Sequence, residues 1–276
     1  MSSIFPIEIT KPKKYELPNF KELWENKDLI LLLTKRDIKV RFQQTVIGMG
    51  WIVIQPLIQM VIYYLIFSIF AKIPTNGVPY PLFFLSGFIV WQYFLQVING
   101  CAYGLVSNVS IIIKSYFPRL ALPLASILSS FIDFTVNLLL LFVFVVLSKF
   151  TFSLRYLLIP LVLLILTLFS SGVGMLFGAL MVEFRDTKNL INFIMMIWMY
   201  LTPVMYPLSI VPEKFRNLFF LNPLTSIVET FHWIVLNQNT FPSSTNLLIS
   251  FLIAIIIWFL GAIAFRSMEN RIADVM

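Results

Sequence analysis

The sequence predicts an all-α membrane protein in which six transmembrane helices cross a bilayer and both termini lie in the cytoplasm. Hydrophobic residues make up 59% of the 276 residues and charged residues only 12%, against about 25% in soluble domains. Uncharged residues also form long runs, among them 42–71 and 156–182. Each run exceeds the roughly 20 residues that a helix needs to cross the hydrocarbon core. The missing charge therefore indicates lipid-facing surface rather than a large water-soluble core.

Residues 1–41 predict a cytoplasmic arm followed by an amphipathic interface helix. Three prolines stand among charged residues in the first 18 positions, which favours an extended arm there. Beyond residue 20, apolar residues recur at helical spacing and charged residues fall mostly on other sides, which predicts one or two helices lying in the membrane interface. A water-soluble helical cap that packs on itself is the alternative. The start lacks the short apolar core and cleavage site of a signal peptide.

Runs without charge place a six-span transmembrane domain at residues 42–266. The predicted spans cover about residues 45–71, 82–105, 122–147, 156–182, 190–206 and 247–265. Residues 207–245 contain four prolines and apolar pieces too short to cross. Short helices that re-enter the membrane or lie on it are therefore expected between the fifth and sixth spans. Residues 267–276 form the predicted cytoplasmic tail.

Lys and Arg are distributed unevenly between the two sides of this domain. Nine of the 20 lie in residues 11–41, and with the second-to-third loop, the fourth-to-fifth turn and the tail the same side carries 15. The other three loops carry five. Because cytoplasmic segments are enriched in Lys and Arg, both termini are predicted to be cytoplasmic. The net charge of +7 is thus explained by membrane topology, and no nucleic-acid partner is expected.

Motifs for catalysis and metal binding are missing from the sequence. There is no phosphate-binding loop and no nucleophile elbow, and the chain has one Cys and one His. A single Cys excludes a disulfide framework within the chain. A membrane glycosyltransferase or ligase would need several acids or a large polar loop at the membrane surface, and the sequence has neither. No catalytic or metal-binding residue is predicted, and any ATP hydrolysis must come from a separate protein.

Asp133 is the only acidic residue inside a predicted span. A carboxylate is costly to bury in lipid, so such a residue indicates a functional site unless a neighbouring helix or the interface satisfies it. Both interpretations are open from the sequence. In the fourth span, Gly174 and Gly178 lie one turn apart, which predicts close packing with another helix rather than ligand binding.

Aromatic residues make up 16% of the sequence, and several that carry a polar group lie near span ends or middles. Flat aromatic faces suit sugar rings without holding them in a fixed register, which a channel for a long polymer would need. The candidate channel residues are Trp51, Tyr63, Tyr64, Trp198, Tyr200 and Tyr206. Aromatic belts at the two membrane interfaces are the competing interpretation.

Two stretches carry a resemblance to a known family. The segment RDIKVRFQQTVIGMGWIVIQPL resembles the start of the first span in membrane subunits of bacterial ABC exporters for polysaccharides and polyol phosphates. The matching positions are Arg41, Phe42, Thr45, Gly48, Trp51 and Pro56. A second match, EFRDTKNL at 183–190 followed by TPVMYP at 202–207, lies at the expected separation. The resemblance covers the chain beyond residue 20 and is most like the O-antigen exporters, with capsule and teichoic-acid exporters similar.

The resemblance implies a homodimer that binds two copies of a separate ATPase subunit. That subunit would bind ATP and Mg²⁺, and no cofactor is expected on this chain. Residues 20–41 would form the interface helix, residues 108–121 a helix that couples to the ATPase, and residues 209–239 short re-entrant helices at the outer exit. The candidate coupling residues are Lys114, Tyr116 and Arg119. The first and fifth spans would line a channel at the dimer interface.

The function implied by this resemblance is export of a lipid-linked polysaccharide, such as O-antigen, outward across the bacterial inner membrane. Arg36, Lys39 and Arg41 would receive the phosphate of the lipid carrier, because cationic side chains favour it. Topology and contact with anionic headgroups of membrane lipids explain the same charges equally well. Export of a small hydrophobic drug or lipid is the alternative function, since related permeases do that.

Overall fold

The fold is helical throughout the part of the chain that the computed structural model describes, residues 20–75, 77–108, 118–150, 152–184, 186–237 and 241–268. Ten α-helices and no strand lie within these ranges. The first five are α1 (Phe20–Glu25), α2 (Lys27–Phe42), α3 (Trp51–Tyr63), α4 (Tyr80–Ser107) and α5 (Ala121–Leu147). The others are α6 (Ile159–Glu183), α7 (Thr187–Tyr200), α8 (Glu213–Phe219), α9 (Pro223–Val235) and α10 (Ser244–Ser267). The predicted all-α class is confirmed.

Five helical segments of the described chain are long and apolar enough to cross a membrane. These segments are Gly48–Phe70, Tyr80–Gly104, Ala121–Leu147, Leu154–Glu183 and Ser244–Ser267. They include short 3-10 helices before α3 and α6, and a π-helix, Tyr64–Phe70, that continues α3. They overlap the first, second, third, fourth and sixth predicted spans.

The predicted fifth span, residues 190–206, overlaps α7, which ends at Tyr200. The 14 residues of α7 rise about 21 Å, less than the roughly 30 Å of a hydrocarbon core. Pro203 explains the early end, because proline has no backbone N–H and disfavours helical backbone at the residue before it. Crossing of the membrane by this segment stays a prediction.

Two short helices, α8 and α9, fill much of the segment for which re-entrant helices are predicted, and they meet at an angle of 103°. Their 7 and 13 residues are too few for either to cross alone. Pro223 occupies the first turn of α9, where its missing N–H does no harm, and Asn222 caps the helix. A re-entrant pair and a single broken span both fit this bend, and counting the pair as one span gives six candidates.

The centre of the described helices is α4, which packs against α5, α6 and α9. Its aromatic residues Phe84, Phe88 and Phe94 are almost fully buried. Phe94 stacks on Phe169 of α6, with ring centroids 5.6 Å apart. A helix that is apolar on all sides is expected to be surrounded by others, and α4 has this position.

Glycines let α6 approach two neighbouring helices closely. A Cβ added to Gly261 of α10 would overlap the carbonyl oxygen of Gly172 in α6. Gly174 and Gly178 face α4, where an added Cβ would lie 2.7 Å from Cys101 Cβ and 3.0 Å from the Cys101 carbonyl oxygen, respectively. The packing role predicted for Gly174 and Gly178 is confirmed, because only hydrogen fits at these contacts.

The N-terminal segment forms two helices, α1 and α2, which are separated at Asn26. The buried side of α2 packs against α5 and includes Ile30 and Leu33. Leu31 and Leu32 are exposed. The buried side of α2 therefore faces the membrane domain, and the exposed leucines suit the interfacial position that the sequence predicts.

Candidate functional site

The last turn of α2 and the middle of α5 are joined by an ion pair. Arg41 Nη1 donates a hydrogen bond to Asp133 Oδ2, and Arg41 Nη2 donates to Ser129 Oγ over 3.3 Å. The Asp133 side chain is 4% exposed, whereas that of Arg41 is 37% exposed. Of the two interpretations of Asp133, the structure supports the one in which a neighbouring helix satisfies it.

The energetic importance of this pair follows from the burial of Asp133. Removing one partner of a buried ion pair typically costs about 3–5 kcal/mol, because the remaining charge is uncompensated. Two features of the sequence point towards the pair: Asp133 is the lone acid of the predicted spans, and Arg41 is the last cation before the first span. Their contact itself depends on how α2 packs on α5.

Thr34 contacts α5 at a second point, about two turns before Arg41. Its hydroxyl donates to the Ile30 carbonyl oxygen over 2.8 Å and lies 3.4 Å from the Ala125 carbonyl oxygen of α5. The Thr34 side chain is buried. The contact between α2 and α5 therefore has polar groups at Thr34 and Arg41, and the buried apolar residues Ile30 and Leu33 precede Thr34.

The three cations predicted to receive a lipid phosphate differ in their surroundings. Arg36 is paired with the adjacent Asp37, with 2.7 Å between Arg36 Nη2 and Asp37 Oδ1. Arg41 is paired with Asp133. Lys39 is exposed. Their role towards a phosphate stays a prediction, and Lys39 is the cation best placed for it.

A cavity of about 630 Å³ lies between α2, α4 and α5. Arg36 and Arg41 are part of its wall on the α2 side. The other polar lining residues include Gln96, Asn99 and Tyr103 of α4 and Ser126, Ser129 and Ser130 of α5. Pockets of about 300–1,000 Å³ accommodate small ligands, so this cavity has the size of a binding site. Sequence periodicity does not reveal it, because its three walls come from separate helices.

The six candidate channel aromatics divide into packed and exposed side chains. Tyr63 stacks on Phe84 of α4 with ring centroids 5.0 Å apart, and Trp198 lies edge-on to Phe94 at 5.2 Å. The Tyr206 hydroxyl donates to the Tyr200 carbonyl oxygen over 2.5 Å. Large parts of three side chains are exposed, those of Trp51, Tyr64 and Tyr200. The exposed three have side-chain surface that the described chain does not cover, and a channel role for all six stays a prediction.

Asn222 connects the end of α7 to the start of α9. Its side-chain oxygen accepts from the Leu224 backbone N–H over 3.1 Å and from Trp198 Nε1 over 3.0 Å. Its Nδ2 donates to Thr202 Oγ1 over 3.0 Å. One amide therefore caps α9 and fixes the segment that follows α7.

Of the three candidate coupling residues, Lys114 and Tyr116 lie outside the described residues. Arg119 precedes α5, and its Nη1 is buried without a hydrogen-bond partner in the described ranges. Within these ranges, no three His, Cys, Asp or Glu side chains are placed to hold a metal ion. His232 is buried in α9, where its ring lies 4.5 Å from that of Phe83.

Comparison with known proteins adds a family and several relatives. The profile of the family described as ABC-2 type transporter matches residues 28–236. The O-antigen export system permease protein RfbA of Klebsiella pneumoniae is 29% identical over 250 residues, which cover 90% of this chain and 95% of that protein. The protein of the same name from Myxococcus xanthus is 24% identical over 256 residues, covering 92% and 97%. The polysialic acid transport protein KpsM of Escherichia coli is 21% identical over 195 residues, covering 70% and 76%.

Proposed function

Because this chain belongs to the ABC-2 type transporter family, we propose that it is the membrane subunit of an ATP-driven exporter of a lipid-linked polysaccharide. The polymer, O-antigen or a similar cell-surface glycan, would move from the cytoplasmic side outward across the inner membrane. The observation that carries this proposal is similarity to O-antigen export permeases along nearly the whole chain. The chain is a transport subunit rather than an enzyme, and its five or six candidate spans agree with this role.

The proposed assembly is a homodimer of this chain with two copies of a separate ATPase, which would hold ATP and Mg²⁺. The proposed dimer axis lies beside α3 and α7. Both helices carry large apolar side chains that the described chain does not cover, such as Ile58 and Phe193, and such a surface can pack against a second subunit as well as against lipid. Trp51 of α3, Tyr64 of the π-helix that continues α3 and Tyr200 of α7 are exposed as well. They would offer aromatic faces to a polymer that passes between two subunits.

The proposed conformational change begins when ATP binding brings the two ATPase subunits together. Movement of the ATPases would press on residues 108–121 and on α2. Because Arg41 and Thr34 attach α2 to α5, movement of α2 would also displace α5. Separation of the first and fifth spans of the two subunits would then open the path, and Lys39 would attract the phosphate of the lipid carrier.

Deletion of the gene in a cell that makes the polysaccharide tests this proposal. We expect surface polysaccharide to disappear and lipid-linked polymer to accumulate inside the cell. Expression of the full chain together with its ATPase should restore the surface polymer. Persistence of normal surface polymer would remove the proposed function. If the deletion strain kept its polymer and became sensitive to hydrophobic drugs, the alternative function in small-molecule export would be supported.

A further inference from the structure

The cavity between α2, α4 and α5 is lined in a way that fits one class of ligand. We propose that it binds an uncharged, hydroxyl-rich ring, such as a sugar unit of the exported polymer, rather than the phosphate of the lipid carrier. This inference rests on the proposed function, because it names the part of the substrate that the cavity holds.

Charged groups at the cavity are already compensated. Arg36 is paired with Asp37, and Arg41 is paired with Asp133. Two cations are thus matched by two carboxylates, so the four groups together carry no net charge. Lys39, an exposed cation of the same helix, is outside the lining. A phosphate binds best to uncompensated cations or to several N–H donors, and the cations at this cavity do not meet the first condition.

Two amide side chains of α4 supply unused hydrogen-bonding capacity. Gln96 Oε1 and Asn99 Oδ1 are buried and have no hydrogen-bond partner in the part of the chain that the structure describes. Both residues line the cavity and are partly exposed. Rotation about the last side-chain bond turns either the oxygen or the NH₂ group of an amide towards the cavity. Each amide can therefore accept from and donate to a ligand hydroxyl.

Serine hydroxyls of α5 supply acceptors on the facing wall. Ser129 Oγ and Ser130 Oγ donate to the Ser126 carbonyl oxygen over 3.0 Å and 2.8 Å, so their protons are used within the helix. Ser129 Oγ also accepts from Arg41 Nη2, and the remaining lone pairs of the two oxygens can accept further hydrogen bonds. A sugar hydroxyl donates as well as accepts and can use such groups, whereas an ionised phosphate only accepts. This difference favours the sugar.

The size of the cavity is consistent with a ring. Its volume of about 630 Å³ equals that of about 20 water molecules at about 30 Å³ each. Gly100 and Gly104 of α4 also line it, and Tyr103 contributes an aromatic side chain. A polar cavity of this size contains water when no ligand is present, and the ring would displace that water.

Isosteric substitutions of Asn99 separate a sugar from a phosphate. Asn99→Asp retains an acceptor of the same shape and adds a negative charge, whereas Asn99→Leu removes both hydrogen-bonding groups. In the full chain with its ATPase, we expect Asn99→Leu to lower surface polymer about fivefold and Asn99→Asp to lower it less. The reverse order would overturn the proposal, because a carboxylate repels phosphate. Equal export by both variants and by the unchanged chain would also overturn it.

Photo-crosslinking from position 103 identifies the bound part of the substrate. In the full chain, Tyr103 is replaced by the photo-crosslinking residue benzoylphenylalanine, and cells that make the polymer are irradiated. The crosslinked protein is then stained for carbohydrate before and after treatment with mild acid. Mild acid cleaves the bond between the sugar and the pyrophosphate. We expect carbohydrate to stay on the protein after acid, because the crosslink is to the sugar. Loss of carbohydrate after acid would show that the lipid carrier occupies the cavity and would overturn the proposal.

Leu139 provides the matched control for the crosslink, since it lies on the exposed side of α5. The same probe in its place should give no carbohydrate adduct. Equal adducts from both positions, or none from position 103 while surface polymer is made, would overturn the proposal. A failure of the proposed function itself would be seen in another experiment, because the deletion strain would then still make normal surface polymer.

Discussion

Arg41 in the last turn of α2 and Asp133 in the middle of α5 form an ion pair although 92 residues separate them in the sequence. The pair holds a helix predicted at the membrane surface to a helix that is long enough to cross the membrane. Arg41 therefore has a structural role besides any role towards a lipid phosphate. Variants that remove one or both charges separate the two roles.

Arg41→Met should lower the free energy of unfolding by about 3 kcal/mol or more, because it leaves the buried carboxylate of Asp133 uncompensated. Asp133→Leu should cost less, since the Arg41 side chain is 37% exposed and reaches water. The double variant should regain much of the loss, because no charge is left unpaired. Thermal melting of the purified protein measures all three. This account would be contradicted if the double variant lost as much free energy of unfolding as the two single variants lose together.

Export by the Arg41→Met/Asp133→Leu double variant reports on Arg41 itself. The double variant removes the charges of both Arg41 and Asp133. We expect it to keep the packing of α2 on α5, because no buried charge is left unpaired. We expect surface polymer near the level of the unchanged chain, since the guanidinium is already engaged by Asp133 and Ser129. A stable double variant that exports no polymer would assign Arg41 to the substrate instead.

Lys39→Gln should slow export without changing the melting temperature, because Lys39 is an exposed cation on a helix predicted to lie at the headgroups. One basic residue near an anionic surface contributes about 1 kcal/mol, so the rate at limiting substrate should fall about fivefold. Lys72→Gln is the control, since Lys72 is also exposed but lies in a loop predicted to face outward. Equal effects of the two substitutions on surface polymer would count against a specific role of Lys39.

Gly261→Ala should destabilise the protein by about 1–3 kcal/mol, because the new methyl group meets the backbone of Gly172 across the α6–α10 contact. Gly104→Ala is the matched control for stability. An added Cβ there would lie 3.6 Å from Leu122 Cβ, which is an ordinary contact. We expect a lower melting temperature for Gly261→Ala and an unchanged or higher one for Gly104→Ala. Equal melting of both variants would show that α6 and α10 can separate freely.

Asn222→Ala should lower stability by about 1–2 kcal/mol, because α9 loses its cap and Trp198 loses its acceptor. Asn222→Asp should cost less, since a carboxylate accepts both hydrogen bonds and lacks only the amide N–H donors to Thr202 Oγ1 and the Leu201 carbonyl oxygen. Asn192→Ala on the exposed side of α7 is the control and should be neutral. Thermal melting ranks the three variants, and an Asp variant weaker than the Ala variant would refute the capping role.

Hydropathy locates five of the spans because the absence of charge reflects the requirement of the bilayer directly. The end of α7 is harder to predict, since apolar residues continue beyond Tyr200. Hydropathy does not detect that Pro203 disfavours a continuing helix. The TPVMYP motif contains this signal, because two prolines within six residues disfavour a continuous helix.

The site is less predictable than the spans, because it depends on contacts between helices. Arg41 and Asp133 both stand out in the sequence, yet their pairing requires the observed packing of α2 on α5. Trp198 is a candidate channel residue by its type and position, but much of its ring packs against Phe94 and Phe169. Residue type therefore selects candidates, and tertiary packing decides which of them present a free surface.

The two attachments of α2 to α5 have a mechanical consequence. Thr34 and Arg41 are about 10 Å apart along the helix axis, so α2 is held as a rod fixed at two places rather than at one pivot. A swing or roll of α2 alone would break the Arg41–Asp133 ion pair or move the Thr34 hydroxyl away from the Ala125 carbonyl oxygen. A force applied anywhere along α2 is therefore delivered to α5 as a shift or tilt of both helices together.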